Sequence, residues 1–182
     1  MIETERLILR PFRQSDLDAL AAIVTDIRTR RYLGGRPHPD PQAWLDEELE
    51  TQERTGIGFM PIVLRSDGNM IGYAGLRNIP YDLAFTPAVD IGWVLAHDAQ
   101  GHGYATEAAR GWLDHGFSKM KPDEIVAYTS IGNTASVAVM KRLGMQADPA
   151  RNFDHPRATN GAYEIRRQTV HAITREDWLK AK

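Results

Sequence analysis

The sequence predicts a mixed α/β fold in one domain spanning residues 1–182, and three observations support this. Two apolar runs of strand length, Phe59 to Leu64 and Met70 to Leu76, are joined by a polar turn typical of an antiparallel hairpin. Two strand-then-helix patterns follow between Asp90 and Met145, and another predicted pair of strands comes after them. No repeat, low-complexity tract or linker indicates a second domain.

Composition limits the classes of function. With 22 basic and 24 acidic residues the net charge is -2, so no overall field favours nucleic acid or an anionic membrane as a partner. The absence of cysteine excludes disulfides, thiolate metal sites and a cysteine acyl intermediate. Histidines and carboxylates are too scattered to predict a metal site. Because neither a signal peptide nor a long apolar run is visible, a cytoplasmic protein is expected.

The first part of the chain predicts a strand and two helices. Residues 6–12 alternate as a strand does, and Pro11 favours an edge position because proline cannot donate to a ladder. Ser15 is expected to cap a first helix, and a second helix is expected from Asp40 to Thr55. In the irregular segment between them, 28–40, three arginines within four positions, Arg28, Arg30 and Arg31, could hold an acceptor carboxylate or a cofactor phosphate. A solvated loop is the favoured interpretation for these arginines.

The stretch from Asp90 onward predicts an anion site. A buried strand, 90–95, leads into the glycine-rich loop 100–106 and then a helix over 105–117. The first N–H groups of a helix lack partners within it and carry partial positive charge, so they can hold a phosphate. No Gly-Lys-Ser/Thr follows, and Thr106 replaces the third glycine of a dinucleotide fingerprint. Two glycines alone remain a weak motif.

A second strand and helix follow, and then the chain ends in a hairpin. The strand covers 125–129, and a helix stopped by Gly144 carries Asn133, Ser136 and Met140 on one face. A final pair of strands is expected at 147–153 and 163–174, linked by 154–161, with a helical turn over 174–179.

Three segments resemble the GNAT superfamily of acetyl-CoA-dependent N-acetyltransferases. Gln100-Gly-His-Gly103-Tyr-Ala105 matches its Gln/Arg-x-x-Gly-x-Gly/Ala loop. Asn133-x-x-Ser136, followed by Leu-Gly-Met at 143–145, is similar to the ribosomal-protein N-terminal acetyltransferase (RimJ/RimL-like) branch. The opening Thr-Glu-Arg-Leu-Ile-Leu-Arg-Pro at 4–11, with Asp-Leu at 16–17, resembles the start of the same branch. Together these motifs cover most of the chain in the family's order.

The resemblance implies a fold, a cosubstrate and a set of binding residues. The fold would be a largely antiparallel sheet with flanking helices, in which two central parallel strands splay apart. Acetyl-CoA would pair with the first of these strands through its pantetheine, and an N–H near Val94 would polarise the thioester carbonyl. The helix-loop-helix region before residue 56 would form one wall of the acceptor groove. The implied cofactor-binding residues are Val94, Leu95, Gln100, Gly101, Gly103, Tyr104, Ala105, Thr106, Asn133 and Ser136.

The expected reaction is direct transfer of the acetyl group to a primary amine, without a covalent intermediate. Many members of the superfamily carry a tyrosine that acts as the general acid at the position that is Met140 here. Because methionine cannot donate a proton, Ser136, one turn away on the same helix face, is the candidate proton donor. Asp90 is the candidate base, whereas Glu107 has a sufficient explanation as a carboxylate near a helix N-terminus. His171 falls where related sequences often have tyrosine.

The acceptor is expected to be an N-terminal peptide or a small-molecule amine. An α-amine, with a pKa of about 8, is easier to deprotonate than a lysine amine with a pKa of about 10.4. Two other classes of function stay open at this point: a non-catalytic acyl-CoA-binding sensor or interaction domain, and a nucleotide-binding protein. The resemblance also allows a homodimer, because family members are often dimers.

Overall fold

The computed structural model describes residues 1–32, 40–158 and 163–181. Within them, nine strands form one sheet in the order β1-β2-β3-β4-β5-β6-β9-β7, with β8 also paired to β9. The strands are β1 Ile2–Glu3, β2 Leu7–Leu9, β3 Gly58–Leu64, β4 Met70–Asn78, β5 Val89–Leu95, β6 Glu124–Ser130, β7 Gln146–Ala147, β8 Phe153–Asp154 and β9 Arg167–Thr174. The helices are α1 Leu17–Thr25, α2 Ile27–Arg30, α3 Pro41–Thr55, α4 Tyr104–His115, α5 Thr134–Arg142, α6 Tyr163–Arg166 and α7 Arg175–Lys180.

The two parallel strands at the centre of the sheet separate soon after they meet. Adjacent strands pair antiparallel except β5 and β6, whose register joins Asp90 to Val126. Beyond that pair the described part of the chain shows no further pairing of β5 with β6, whereas β4 pairs with β5 as far as Leu95. The edge of β5 from Gly92 to Leu95 therefore faces a gap. The mixed, mostly antiparallel α/β fold is confirmed.

Helices cover both faces of the sheet. On one face α4 and α5 pack against β4, β5 and β6, and Trp112 of α4 is completely buried there. On the other face α1 and α3 cover β3 and β4 around Leu45, Phe59 and Tyr73. The gap between β5 and β6 thus connects the two faces near the middle of the molecule.

Two expectations about the first part of the chain were wrong. The first strand is not at an edge, because β1 pairs with β2 and joins Ile2 to Leu9. Ser15 does not cap α1; a 3-10 turn over 14–16 precedes the helix instead. The buried carboxylate of Asp16 stabilises this turn, since it accepts two bonds of 2.7 Å from Arg10 and one of 2.8 Å from the Arg13 amide.

The other helix start and the first hairpin are confirmed. Asp40 Oδ1 accepts hydrogen bonds from the amides of Gln42 and Ala43 at 2.9 and 3.1 Å, which supplies partners that the first turn of α3 lacks. Most of the irregular segment predicted before α3, residues 33–39, lies outside the described residues. β3 and β4 form the predicted antiparallel pair.

The final pair of strands is more broken than expected. A 3-10 turn at Pro149–Arg151 divides the first into β7 and β8, because proline has no N–H to donate to the ladder. Residues 163–166 form the short helix α6 before β9 begins. The end of the predicted link, at residues 159–161, lies outside the described residues. Of the helices in the described residues, none is both long and apolar enough to span a bilayer.

Candidate active site

A cavity of about 1360 Å³ opens beside the gap between β5 and β6. Its walls are the free edge of β5, the glycine loop, one side of α4, the start of α5 and the N-terminal segment 1–6. Nine of the residues expected to bind the cofactor line it: Val94, Leu95, Gln100, Gly101, Gly103, Ala105, Thr106, Asn133 and Ser136. Tyr104, the tenth residue expected to bind the cofactor, and Asp90, the candidate base, do not line the cavity.

The glycine loop presents unpaired amides to this cavity. Gly101 and Gly103 have φ angles of 81° and 84°, in the left-handed region that favours glycine. Among the described residues, none of the amide N–H groups of 101–106 donates a hydrogen bond to a protein acceptor. The first bond at this end of α4 runs from the Glu107 amide to the Gly103 carbonyl at 3.1 Å. These amides and the positive end of α4 make a suitable site for an anion.

Tyr104 turns its ring away from the cavity. The ring lies against the guanidinium of Arg6, with 4.6 Å from Cζ to the ring centroid, and stacks with His102 at 5.8 Å. Its side chain is therefore engaged within the protein, and only its backbone amide lacks a protein acceptor among the described residues.

Asn133 and Ser136 form a hydrogen-bonded pair at the start of α5. Asn133 Oδ1 accepts from the Ser136 amide at 3.2 Å and so caps the helix. Its Nδ2 donates to Thr129 Oγ1 at 2.9 Å and to Ser136 Oγ at 3.0 Å. Because Ser136 Oγ already accepts a hydrogen bond, its own proton stays available to donate. Met140, expected on the same face, is buried in the core with 1% exposure.

Asp90 lies on the opposite face of the sheet. It is buried with 3% exposure, and its Oδ1 lies 3.1 Å from Arg77 Nε. Nη2 of the same arginine lies 3.1 Å from the Tyr128 hydroxyl. The expectation that Asp90 borders the cavity is not met, because alternate residues of a strand face opposite sides and Asp90 points away from α4.

Glu48 is a second carboxylate on that face, and sequence reasoning did not identify it. Burial raises the pKa of Glu48 to about 7, although the Phe59 amide and the charge of Arg77 oppose the rise. One oxygen, Oε2, accepts the Phe59 amide at 3.0 Å. In the sequence Glu48 is one of several acidic residues on α3, and only the packing of α3 on the sheet distinguishes it.

Several cations line the cavity that sequence reasoning did not assign to the site. Arg28 and Arg31, noted in the irregular segment, lie on its wall together with Arg6, Arg110 and Arg142. Arg28 also pairs with Asp26 at 2.8 Å. Their positive charge suits a ligand that carries several phosphates. His171, by contrast, is buried in β9, where desolvation lowers its pKa, and it lies outside the cavity wall.

Comparisons with known proteins point to one family. Residues 6–146 match the family model described as the acetyltransferase (GNAT) domain. The chain is 27% identical over 179 residues to the uncharacterized N-acetyltransferase YnaD of Bacillus subtilis, covering 97% of this chain and 98% of the relative.

Two solved structures share the fold at lower identity. A spermidine N-acetyltransferase from Vibrio cholerae, in complex with CoA and spermine, superposes with a TM-score of 0.78 at 17% identity over 97% of this chain and 99% of its own. A ribosomal-protein-S5-alanine acetyltransferase from Vibrio fischeri gives a TM-score of 0.72 at 20% identity over 97% of each chain. One fold thus serves two different acceptors.

Proposed function

Because the chain belongs to the acetyltransferase (GNAT) family and is an acetyl-CoA-dependent N-acetyltransferase, we propose that its acceptor is a peptide N-terminal α-amine or a small-molecule primary amine. We place the acetyl transfer at the gap between β5 and β6. This placement is supported by the position of the gap, which opens into the cavity beside the unpaired amides of 101–106. The amides would hold the diphosphate, and the thioester would then reach the gap.

The pantetheine arm would run along the free edge of β5. Groups near Val94 and Leu95 lie on this edge and line the cavity, so an N–H there can polarise the thioester carbonyl. Gln100 is fixed at the end of the strand, since its Nε2 donates to the Leu95 carbonyl at 3.2 Å. Asn133 already uses its amide group within the protein, but Oδ1 can accept a second bond from the arm.

Ser136 is the proposed proton donor to the departing thiolate. Replacing Ser136 with alanine should lower kcat about 10- to 100-fold, because the leaving group loses its hydrogen-bond donor. Steady-state kinetics together with calorimetry should show almost unchanged acetyl-CoA affinity. The control is Thr134→Val, which removes a hydroxyl from the same turn but outside the cavity wall. An unchanged kcat in Ser136→Ala would remove this residue from the proton path.

Two carboxylates on the opposite face are proposed to receive the proton of the acceptor through water. Asp90 stands at the apex of the gap, and Glu48, on which the charge of Arg77 also acts, has a pKa of about 7. A base with such a pKa gives a pH–rate profile that rises through about 7. In Glu48→Gln the rate should no longer rise with pH through about 7. If that rise is lost in Asp90→Asn alone, Asp90 is the base instead.

The RimJ/RimL-like branch and its α-amine acceptors form the finer part of the proposal. Their support is the Asn133-x-x-Ser136 motif together with the lower pKa of an α-amine. Thiol release from acetyl-CoA should therefore be fastest with short peptides bearing free N-termini in a panel that also contains polyamines and lysine side chains. A preference for polyamines would instead indicate a small-molecule amine as the acceptor. Absence of thiol release with every acceptor would contradict the proposed acetyl transfer.

A further inference from the structure

We propose that Arg6 is a positioning residue for coenzyme A, because it fixes the glycine loop in the conformation that presents the Gly103 amide to the diphosphate. This inference rests on the proposed place of the diphosphate at residues 101–106. It assigns a binding role to the N-terminal segment, which joins the cavity wall although it lies about a hundred residues from the loop in sequence.

The N-terminal segment is tied to the first turn of α4 through one carboxylate. Glu107 Oε1 accepts from Thr4 Oγ1 at 2.6 Å and from the Arg6 amide at 2.8 Å, and Oε2 accepts from Arg6 Nε at 2.6 Å. Burial raises the pKa of Glu107, but these hydrogen bonds outweigh it and hold the pKa below its ordinary value. Glu107 therefore stays ionised at neutral pH and anchors the guanidinium of Arg6.

The anchored guanidinium then reaches the loop. Its Nη1 donates to the carbonyl of His102 at 3.0 Å, and its Cζ lies 4.6 Å from the centroid of the Tyr104 ring. A Cβ added to Gly103 would lie 3.4 Å from Nη2. Arg6 thus contacts His102 and Tyr104, the residues on either side of Gly103, and its side chain remains 44% exposed beside the cavity.

The bond to the His102 carbonyl determines where the next amide points. A trans peptide is planar, so its C=O and N–H are directed to opposite sides. Once Arg6 holds the carbonyl of the 102–103 peptide, the Gly103 N–H is directed away from the guanidinium. Without that bond, two glycines with positive φ would leave the peptide free to rotate, since glycine has many accessible conformations. Preorganising the loop lowers the entropic cost of binding the diphosphate.

The test compares two acetyl donors, acetyl-CoA and acetyl-pantetheine, which lacks the diphosphate together with the 3′-phosphoadenosine. Arg6→Gln should raise KM for acetyl-CoA about 10-fold, as expected for one charge-assisted contact, and leave kcat unchanged. Its kcat/KM for acetyl-pantetheine should equal that of the wild type. An equal loss with both donors, or no loss with either, would overturn the inference.

Two further variants separate positioning from charge and from folding. Arg65→Gln is the matched control, because Arg65 Nη1 donates to the Thr4 carbonyl at 2.8 Å on the same segment without contacting the loop. Its KM should not change. Arg6→Lys keeps the charge, but one ammonium cannot hold Glu107 and His102 together as the guanidinium does. Full acetyl-CoA affinity in Arg6→Lys would show that charge alone suffices and would overturn the positioning role.

The wild type distinguishes this inference from the proposed function. If the unmodified enzyme uses acetyl-pantetheine as well as acetyl-CoA, the diphosphate contributes nothing and the assignment of the loop fails. If it strongly prefers acetyl-CoA and Arg6→Gln keeps that preference, the loop assignment is not contradicted and only the role of Arg6 fails.

Discussion

Replacing Gly103 with valine is expected to weaken coenzyme A binding at least about 100-fold, which corresponds to roughly 2.7 kcal/mol. The φ angle of 84° at this position is costly for any residue with a Cβ and most costly for a β-branched one. The new side chain would also stand next to Arg6 Nη2 and beside the amides that face the cavity. Titration calorimetry with coenzyme A measures the effect directly.

The matched control is Gly68→Val in the turn between β3 and β4. Gly68 has a φ of 75°, so the backbone penalty is similar, but nothing lies within 4 Å of its added Cβ and it does not line the cavity. This variant should lose stability while it keeps wild-type affinity. Undiminished affinity in Gly103→Val would show that the loop does not bind the cofactor.

Replacing Glu48 with glutamine is expected to stabilise the protein at alkaline pH by about 3 kcal/mol at most. The pKa of this carboxyl is raised from 4.5 to about 7 by burial, so the folded state binds its proton more tightly than the unfolded chain does. This tighter proton binding at Glu48 therefore contributes fully to the free energy of unfolding below pH 4.5, and the contribution is lost as pH rises through about 7. Glutamine keeps an oxygen for the Phe59 amide and cannot ionise.

Urea unfolding at pH 4 and pH 8 measures this effect. The difference between Glu48→Gln and the wild type should be small at pH 4 and should grow in favour of the variant towards pH 8. Glu47→Gln, an exposed neighbour on the same helix, should show no such trend. A constant difference across this range would contradict the raised pKa. Greater stability combined with lower activity would indicate a carboxylate kept for function at a cost to folding.

The glycine loop and its helix could be predicted because their determinants are local. Left-handed glycines at 101 and 103, an apolar strand before them and an amphipathic helix after them are each visible within a few residues. The pairing of Asn133 with Ser136 is equally local, because a capping side chain contacts the amide three residues later. Nine of the ten expected cofactor residues therefore line one cavity.

The parts that sequence reasoning missed depend on contacts distant in sequence. The position of Asp90 behind the cavity depends on which face of β5 meets α4, and a continuous apolar run does not show this. The environment of Glu48 arises from the packing of α3 over β3 beside Arg77 on β4. The role proposed for Arg6 depends on its contact with Glu107, 101 residues later. Each is a polar side chain whose partner only the tertiary fold supplies.

The most direct test of the central claim is a crystal structure of the full chain with coenzyme A. The account predicts diphosphate oxygens within about 3 Å of the amide nitrogens of residues 101–106, and the thiol in the gap between β5 and β6. A diphosphate bound elsewhere on the molecule, or a thiol that does not reach the gap, would contradict the account.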